Sequence, residues 1–174
     1  MAAYGVLILR LIVPLSIFRW PFAGALLSIA ADAADSVIFR NFGWGFLHPE
    51  DYQLIDKYFD LYYLTFEALV VARWRENFLR NIGLGLFFLR FAGTLLFEAT
   101  GLRLLLFFAP NIFENFYLLV QCMRKLFPWE NALLPSRHAV LLLLVSAFPK
   151  LIQEYIMHYM EYPLGIGTIW AYFR

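Results

Sequence analysis

The sequence predicts an all-α integral membrane protein, a bundle of six transmembrane helices with a polar cavity between the second and the third. Three observations predict it. Hydrophobic residues make up 62% of the chain and charged ones 16%, where soluble domains sit near half apolar and a quarter charged; mean hydropathy is +0.66. The apolar residues fall into six runs, each close to the length that crosses a bilayer, parted by proline, glycine and arginine. Four aspartates stand inside the second and third runs, where a carboxylate costs about 2.5–3.5 kcal/mol on insertion scales and asks for a compensating partner. The 174 residues suit one transmembrane domain over 1–174.

The first span, 2–18, ends at Arg19-Trp20-Pro21. It lacks a basic leader and carries Arg10 and Pro14 inside it, so it reads as a retained span rather than a cleaved signal. The second, 22–40, holds Asp32 and Asp35. A connector rich in breakers, NFGWGFLHPE, leads into the third, 51–72, which opens on Pro49, Glu50 and Asp51 and closes at Arg73-Trp74-Arg75. Proline suits a first helical turn, and acidic residues there face the positive end of the helix dipole. The fourth span, 78–97, stops at the turn around Thr100-Gly101. The fifth, 102–122, is expected to kink at Pro110, and the sixth, 139–160, at Pro149. The aromatic tail EYPLGIGTIWAYFR reads as a segment resting at the membrane interface.

Charge and cysteine content remove several classes. A net charge of +1 gives no electrostatic case for nucleic acid. Cys122 is alone, which excludes an intramolecular disulfide and leaves no cysteine-based zinc site.

The chemistry points to the aspartates. Asp32 and Asp35 are three apart, Asp56 and Asp60 four apart, so each pair shares one helix face. Tyr63 and Glu67 continue the face of the second pair. Consecutive antiparallel spans place the two pairs across one cavity, with up to eight carboxylate oxygens. Such a set suits divalent ions of hard, oxygen-preferring chemistry, Mg²⁺ or Mn²⁺. Arg40, five residues beyond Asp35, can meet a phosphate or extend its charge to the membrane edge. The competing reading pairs the aspartates with Arg10, Lys57, Arg90 or Lys150 as a polar core.

The order D-A-A-D-S-V-I-F-R, then Y-Q-L-I-D-K-Y-F-D, resembles the motif of the CDP-alcohol phosphotransferases, D-x2-D-G-x2-A-R followed by G-x3-D-x3-D. The likeness covers roughly residues 7–60; beyond it only span count agrees. It implies a metal-dependent transfer of a phosphoalcohol group from a CDP-alcohol to a lipid or small alcohol acceptor, with release of CMP, as in phospholipid synthesis. It also implies a multi-pass protein of the cell membrane, often a homodimer. Asp32, Asp35, Asp56 and Asp60 would hold the metals, with Asp60 also the base for the acceptor hydroxyl. Arg40, Ser36, Phe39 and Tyr52 occupy the substrate-binding positions.

Three of those positions depart from the motif. Ser36 and Tyr52 replace its glycines and Phe39 its alanine, which crowds a pocket where a nucleotide would lie against the backbone. The alternative is therefore a non-enzymatic membrane protein, a degenerate relative, ion-handling component or complex subunit that keeps the acidic residues for structure or ion binding. Elsewhere, Arg90, Thr94 and Glu98 form one helical stripe and Lys150, Glu154 and His158 another, read as interior pairing. Glu67 is expected to pair with an arginine of a neighbouring span. Asn111, Glu114 and Asn115 are expected to satisfy backbone freed at Pro110.

Overall fold

Pro14, Pro21 and Pro49 set where the first helices begin and end. The computed structural model describes residues 2–42, 49–101, 105, 108–126 and 136–158; the side chains at 2–4, 35–37, 39–42, 49–54, 136–138 and 153–158 lie outside that description. Six α-helices and no strand occur among the described residues. Helix α1 is Ala2–Ile12 and passes directly into a 3-10 segment, Val13–Phe18, with Pro14 in its first turn. The proline has no amide hydrogen to continue the α pattern, and the tighter winding accommodates it. The first expected span is thus two kinds of helix end to end.

Helix α2, Pro21–Phe42, starts on a proline, whose fixed φ suits a first turn. Its backbone runs hard against the 3-10 segment at Gly24: a Cβ there would sit 2.6 Å from the Ile17 amide nitrogen. Only glycine allows that approach. Helix α3, Pro49–Ala72, also opens on proline. Helix α4, Asn77–Thr100, begins after Glu76, whose carboxylate binds Arg124 at 2.7 Å instead of capping the helix. It ends at Gly101, where φ is 70° and the amide bonds to the Phe97 carbonyl at 2.7 Å, a left-handed C-terminal stop.

The fifth expected span is divided. Around Pro110 the helical pattern breaks, and α5 is Ile112–Leu126. The Ala109 carbonyl freed there accepts a hydrogen bond from Arg90 at 3.2 Å. Asn111 and Glu114, expected to serve the backbone at this break, bond to each other instead. Helix α6, Ser136–His158, runs through Pro149 without ending.

Helix α3 packs on the 3-10 segment, α2, α4 and α5. The core lies between α3, α4 and α5, where Leu64, Val71, Leu79, Phe113, Phe116 and Val120 are fully buried. Trp74 stacks on Tyr117 at 6.1 Å and 12°, and Phe87 meets Phe113 edge-on at 5.6 Å. The guanidinium of Arg124 covers the Trp74 ring at 4.4 Å.

The outer faces are apolar as well. Ile12, Leu27, Phe88, Leu96, Leu144 and Phe148 are each more than half exposed. Helix α4 is long and apolar enough to cross a membrane, and 22% of its most apolar window is buried. Gly5–Phe18, Pro21–Ala34 and Ala139–Ile152 are shorter apolar stretches.

Candidate functional site

Two helix faces and one buried arginine make the site. On α3 the four-residue step from Asp56 to Asp60 places both carboxylates on one side, facing α2. On α2 Asp32 meets them: one oxygen from each of Asp32, Asp56 and Asp60 lies within 4.8 Å of the others. The three side chains are part-exposed, between 27% and 35%. The convergence expected from spacing is therefore present for these three. Asp35, Ser36, Phe39, Arg40 and Tyr52 lie outside the described side chains.

Arg10 stands where the sequence reading expects a polar cavity. It comes from the last turn of α1 and is 4% exposed. One guanidinium nitrogen donates to Asp56 Oδ1 at 2.6 Å; the other donates to Asp32 Oδ1 and, at 3.3 Å, to Asp60 Oδ1. Its carbon lies 5.0 Å from the centre of the Phe59 ring, and Tyr62 donates to the Leu11 carbonyl at 3.2 Å, so α1 is clasped to α3 here. Among the described contacts, Arg10 is the one of the four cations weighed as neutralising partners that touches the aspartates. Lys57 turns away to Glu98 at 2.8 Å, over the Phe97 ring at 4.1 Å, and joins α3 to α4.

A divalent ion fits this donor set in charge and nearly in size. Three carboxylates and one guanidinium leave a formal −2. Magnesium–oxygen distances of about 2.0–2.1 Å put opposite ligands about 4.2 Å apart. Neighbouring ligands on such an ion stand about 2.9 Å apart, so the three aspartate oxygens, within 4.8 Å of one another, have to draw together to bind it. A guanidinium and an ion cannot share the middle, so uptake requires Arg10 to swing aside.

One turn further along α3 lies a second polar patch. Tyr63 donates to Glu114 Oε2 at 2.8 Å, and Asn111 Nδ2 donates to the same oxygen at 2.6 Å. Glu67 is fully buried, and neither of its carboxylate oxygens has a hydrogen-bond partner. This overturns its expected pairing with an arginine of a neighbouring span. The stripe of α4 pairs in the interior as expected: Arg90 donates to the Ala109 carbonyl at 3.2 Å, Glu98 receives Lys57 of α3 at 2.8 Å, and Thr94 bonds back to the Arg90 carbonyl within α4.

Spacing revealed the aspartates; it could not reveal that Arg10 joins them. The signal was a lone cation in an apolar helix with no acid one turn away, which must find its partner in another helix. No family model, no curated protein and no solved structure matches the chain. The likeness to the CDP-alcohol phosphotransferases therefore rests on the motif between residues 7 and 60.

Proposed function

We propose that the chain is a helical membrane protein whose Asp32, Asp56 and Asp60 bind a divalent cation in exchange for the guanidinium of Arg10, and that this centre serves phosphoalcohol transfer from a CDP-alcohol or related diphosphate donor. The convergence of three carboxylates from α2 and α3 on one spot carries the reading. The exposed apolar faces and the membrane-length α4 support the membrane setting. Asp35 completes the motif in sequence and would add a fourth carboxylate.

A divalent ion held there would draw charge from a phosphoryl group and its leaving oxygen. Asp60, nearest Tyr63 and the interior, is the carboxylate assigned to take the acceptor hydroxyl's proton. Arg10, once displaced, keeps its charge at the rim of the same site, where a guanidinium suits a phosphate. Arg40 would supply a second such contact.

The second reading is an ionic junction: Arg10 touches all three aspartates and ties α1, α2 and α3 together without turnover. The two part on a simple assay. Purified protein in lipid nanodiscs, given Mg²⁺ or Mn²⁺, a CDP-alcohol and an acceptor alcohol, is expected to release CMP. Asp56→Asn and Asp60→Asn are each expected to lower the rate at least a hundredfold. Unchanged rates in both variants rule the transfer mechanism out. Absence of CMP release together with absence of cation binding leaves the junction.

A further inference from the structure

Glu67 has no counterpart for its charge. It lies four residues beyond Tyr63 on the same face of α3, is fully buried, and offers two oxygens that nothing donates to. That face looks onto α5, since Tyr63 on it donates to Glu114 of α5 at 2.8 Å. The neighbouring donors are already spent: the Tyr63 hydroxyl and the Asn111 amide both serve Glu114 Oε2. The remaining Asn111 atom, Oδ1, is itself buried without a partner. Of the nearby cations, Arg90 of α4 is turned to the Ala109 carbonyl, Lys57 of α3 itself to Glu98, and Arg124 of α5 to Glu76. In this patch the Glu67 carboxylate and Asn111 Oδ1 are acceptors left without a donor, in an interior where an unmet acceptor is costly.

What satisfies such a patch carries positive charge and brings no acceptor of its own. Two carboxylates, an amide oxygen and a phenol oxygen form an oxygen-only set of the kind that hard cations choose. We propose that Glu67, Glu114, Asn111 and Tyr63 form a second cation site between α3 and α5, distinct from the aspartate centre and occupied by a small hard ion such as Na⁺ or Mg²⁺. The site shares no ligand with the aspartate centre.

The test removes the first centre and reads the second. Asp56→Asn protein in detergent is melted in choline chloride, then with NaCl or MgCl₂ added. One of the two ions is expected to raise Tm by about 4 °C or more at saturation. Glu67→Gln placed on the same background is expected to abolish the shift. A variant that fails to fold is bypassed by infrared difference spectra of the Asp56→Asn protein itself. Adding the ion is then expected to replace a carboxylic acid band by carboxylate stretching bands, with release of a proton to the medium. No shift with either ion, or a shift that survives Glu67→Gln, overturns the site. A carboxylic acid band untouched by either ion does the same, since Glu67 is then simply a protonated core residue. Because Asp56 is already neutral in every arm, failure here leaves the aspartate centre unaffected.

Discussion

Replacing Arg10 by methionine keeps the side chain's length and removes the guanidinium that three aspartates share. Taking one partner from a buried ion pair costs about 3–5 kcal/mol. The aspartates here are about a third exposed, so solvent screens part of the loss and about 3 kcal/mol is expected. Chemical denaturation of Arg10→Met in chelator should show that deficit, and added Mg²⁺ should recover most of it, because the ion replaces the missing charge. A deficit that Mg²⁺ leaves untouched would mean that the cluster holds only the arginine. Lys57→Met, by contrast, breaks a pair whose members are 28% and 24% exposed. About 1 kcal/mol or less is expected there from the same measurement. The size of the gap between the two variants separates a shared buried cation from an ordinary bridge. At this scale the aspartates were legible, since three- and four-residue steps fix a face before any fold is known. The position of Arg10 was not: it depends on how α1 docks on α3, which the Pro14 segment and Gly24 decide.

At the scale of elements, the proline and glycine positions did most to mark the helices. Pro21 and Pro49 start α2 and α3, and Gly101 stops α4. Pro110 proved stronger than a kink, because the freed Ala109 carbonyl has a partner in Arg90 and the chain has no need to stay helical there. Pro149, in α6, is carried without a break. The closest backbone approach is also a testable one. Gly24→Ala would push a methyl against the Ile17 backbone, 2.6 Å away, and overpacking of this kind costs about 1–3 kcal/mol. Gly85 has open space around it. Gly85→Ala should therefore be neutral or stabilising by up to about 1 kcal/mol, from helix propensity alone. Thermal melts of the two variants compare them directly; equal losses would place the α2 contact elsewhere. If Gly24→Ala also weakens cation binding, the 3-10 segment is what holds Arg10 in register with the aspartates.

For the whole molecule, leucines and phenylalanines stand exposed on α1, α2, α4 and α6, and α4 is long and apolar enough to cross a membrane. The chain is expected to stay with membranes through an alkaline carbonate wash; release into the supernatant would contradict a membrane-spanning fold. Orientation follows from the single thiol. Cys122 sits near the end of α5, opposite the end of α3 that bears Asp56 and Asp60. A cytoplasmic aspartate centre, as a CDP-linked donor requires, predicts labelling of Cys122 in intact cells by a membrane-impermeant maleimide. Labelling only after permeabilisation would turn the centre outward and remove such a donor. The positive charge favours that opposite arrangement, with Arg73, Arg80, Arg124 and Lys125 gathered around Phe18, Phe22 and Trp74 at the far end. The helical character was legible in the length of the apolar runs, and the partnerless Glu67 was not, because pairing is a property of neighbours.

Cation exchange at the aspartates is read most directly by titrating Mn²⁺ into detergent-purified protein and following free ion by electron paramagnetic resonance. A unit charge about 4 Å away in partly screened surroundings is worth on the order of a few kcal/mol. Arg10→Met should therefore bind Mn²⁺ at least about tenfold more tightly than the parent chain. Asp32→Asn, Asp56→Asn and Asp60→Asn should each weaken or abolish that binding. Free Mn²⁺ undiminished by both the parent chain and Arg10→Met, or uptake indifferent to all three asparagine changes, would show that these acids serve the arginine and nothing else.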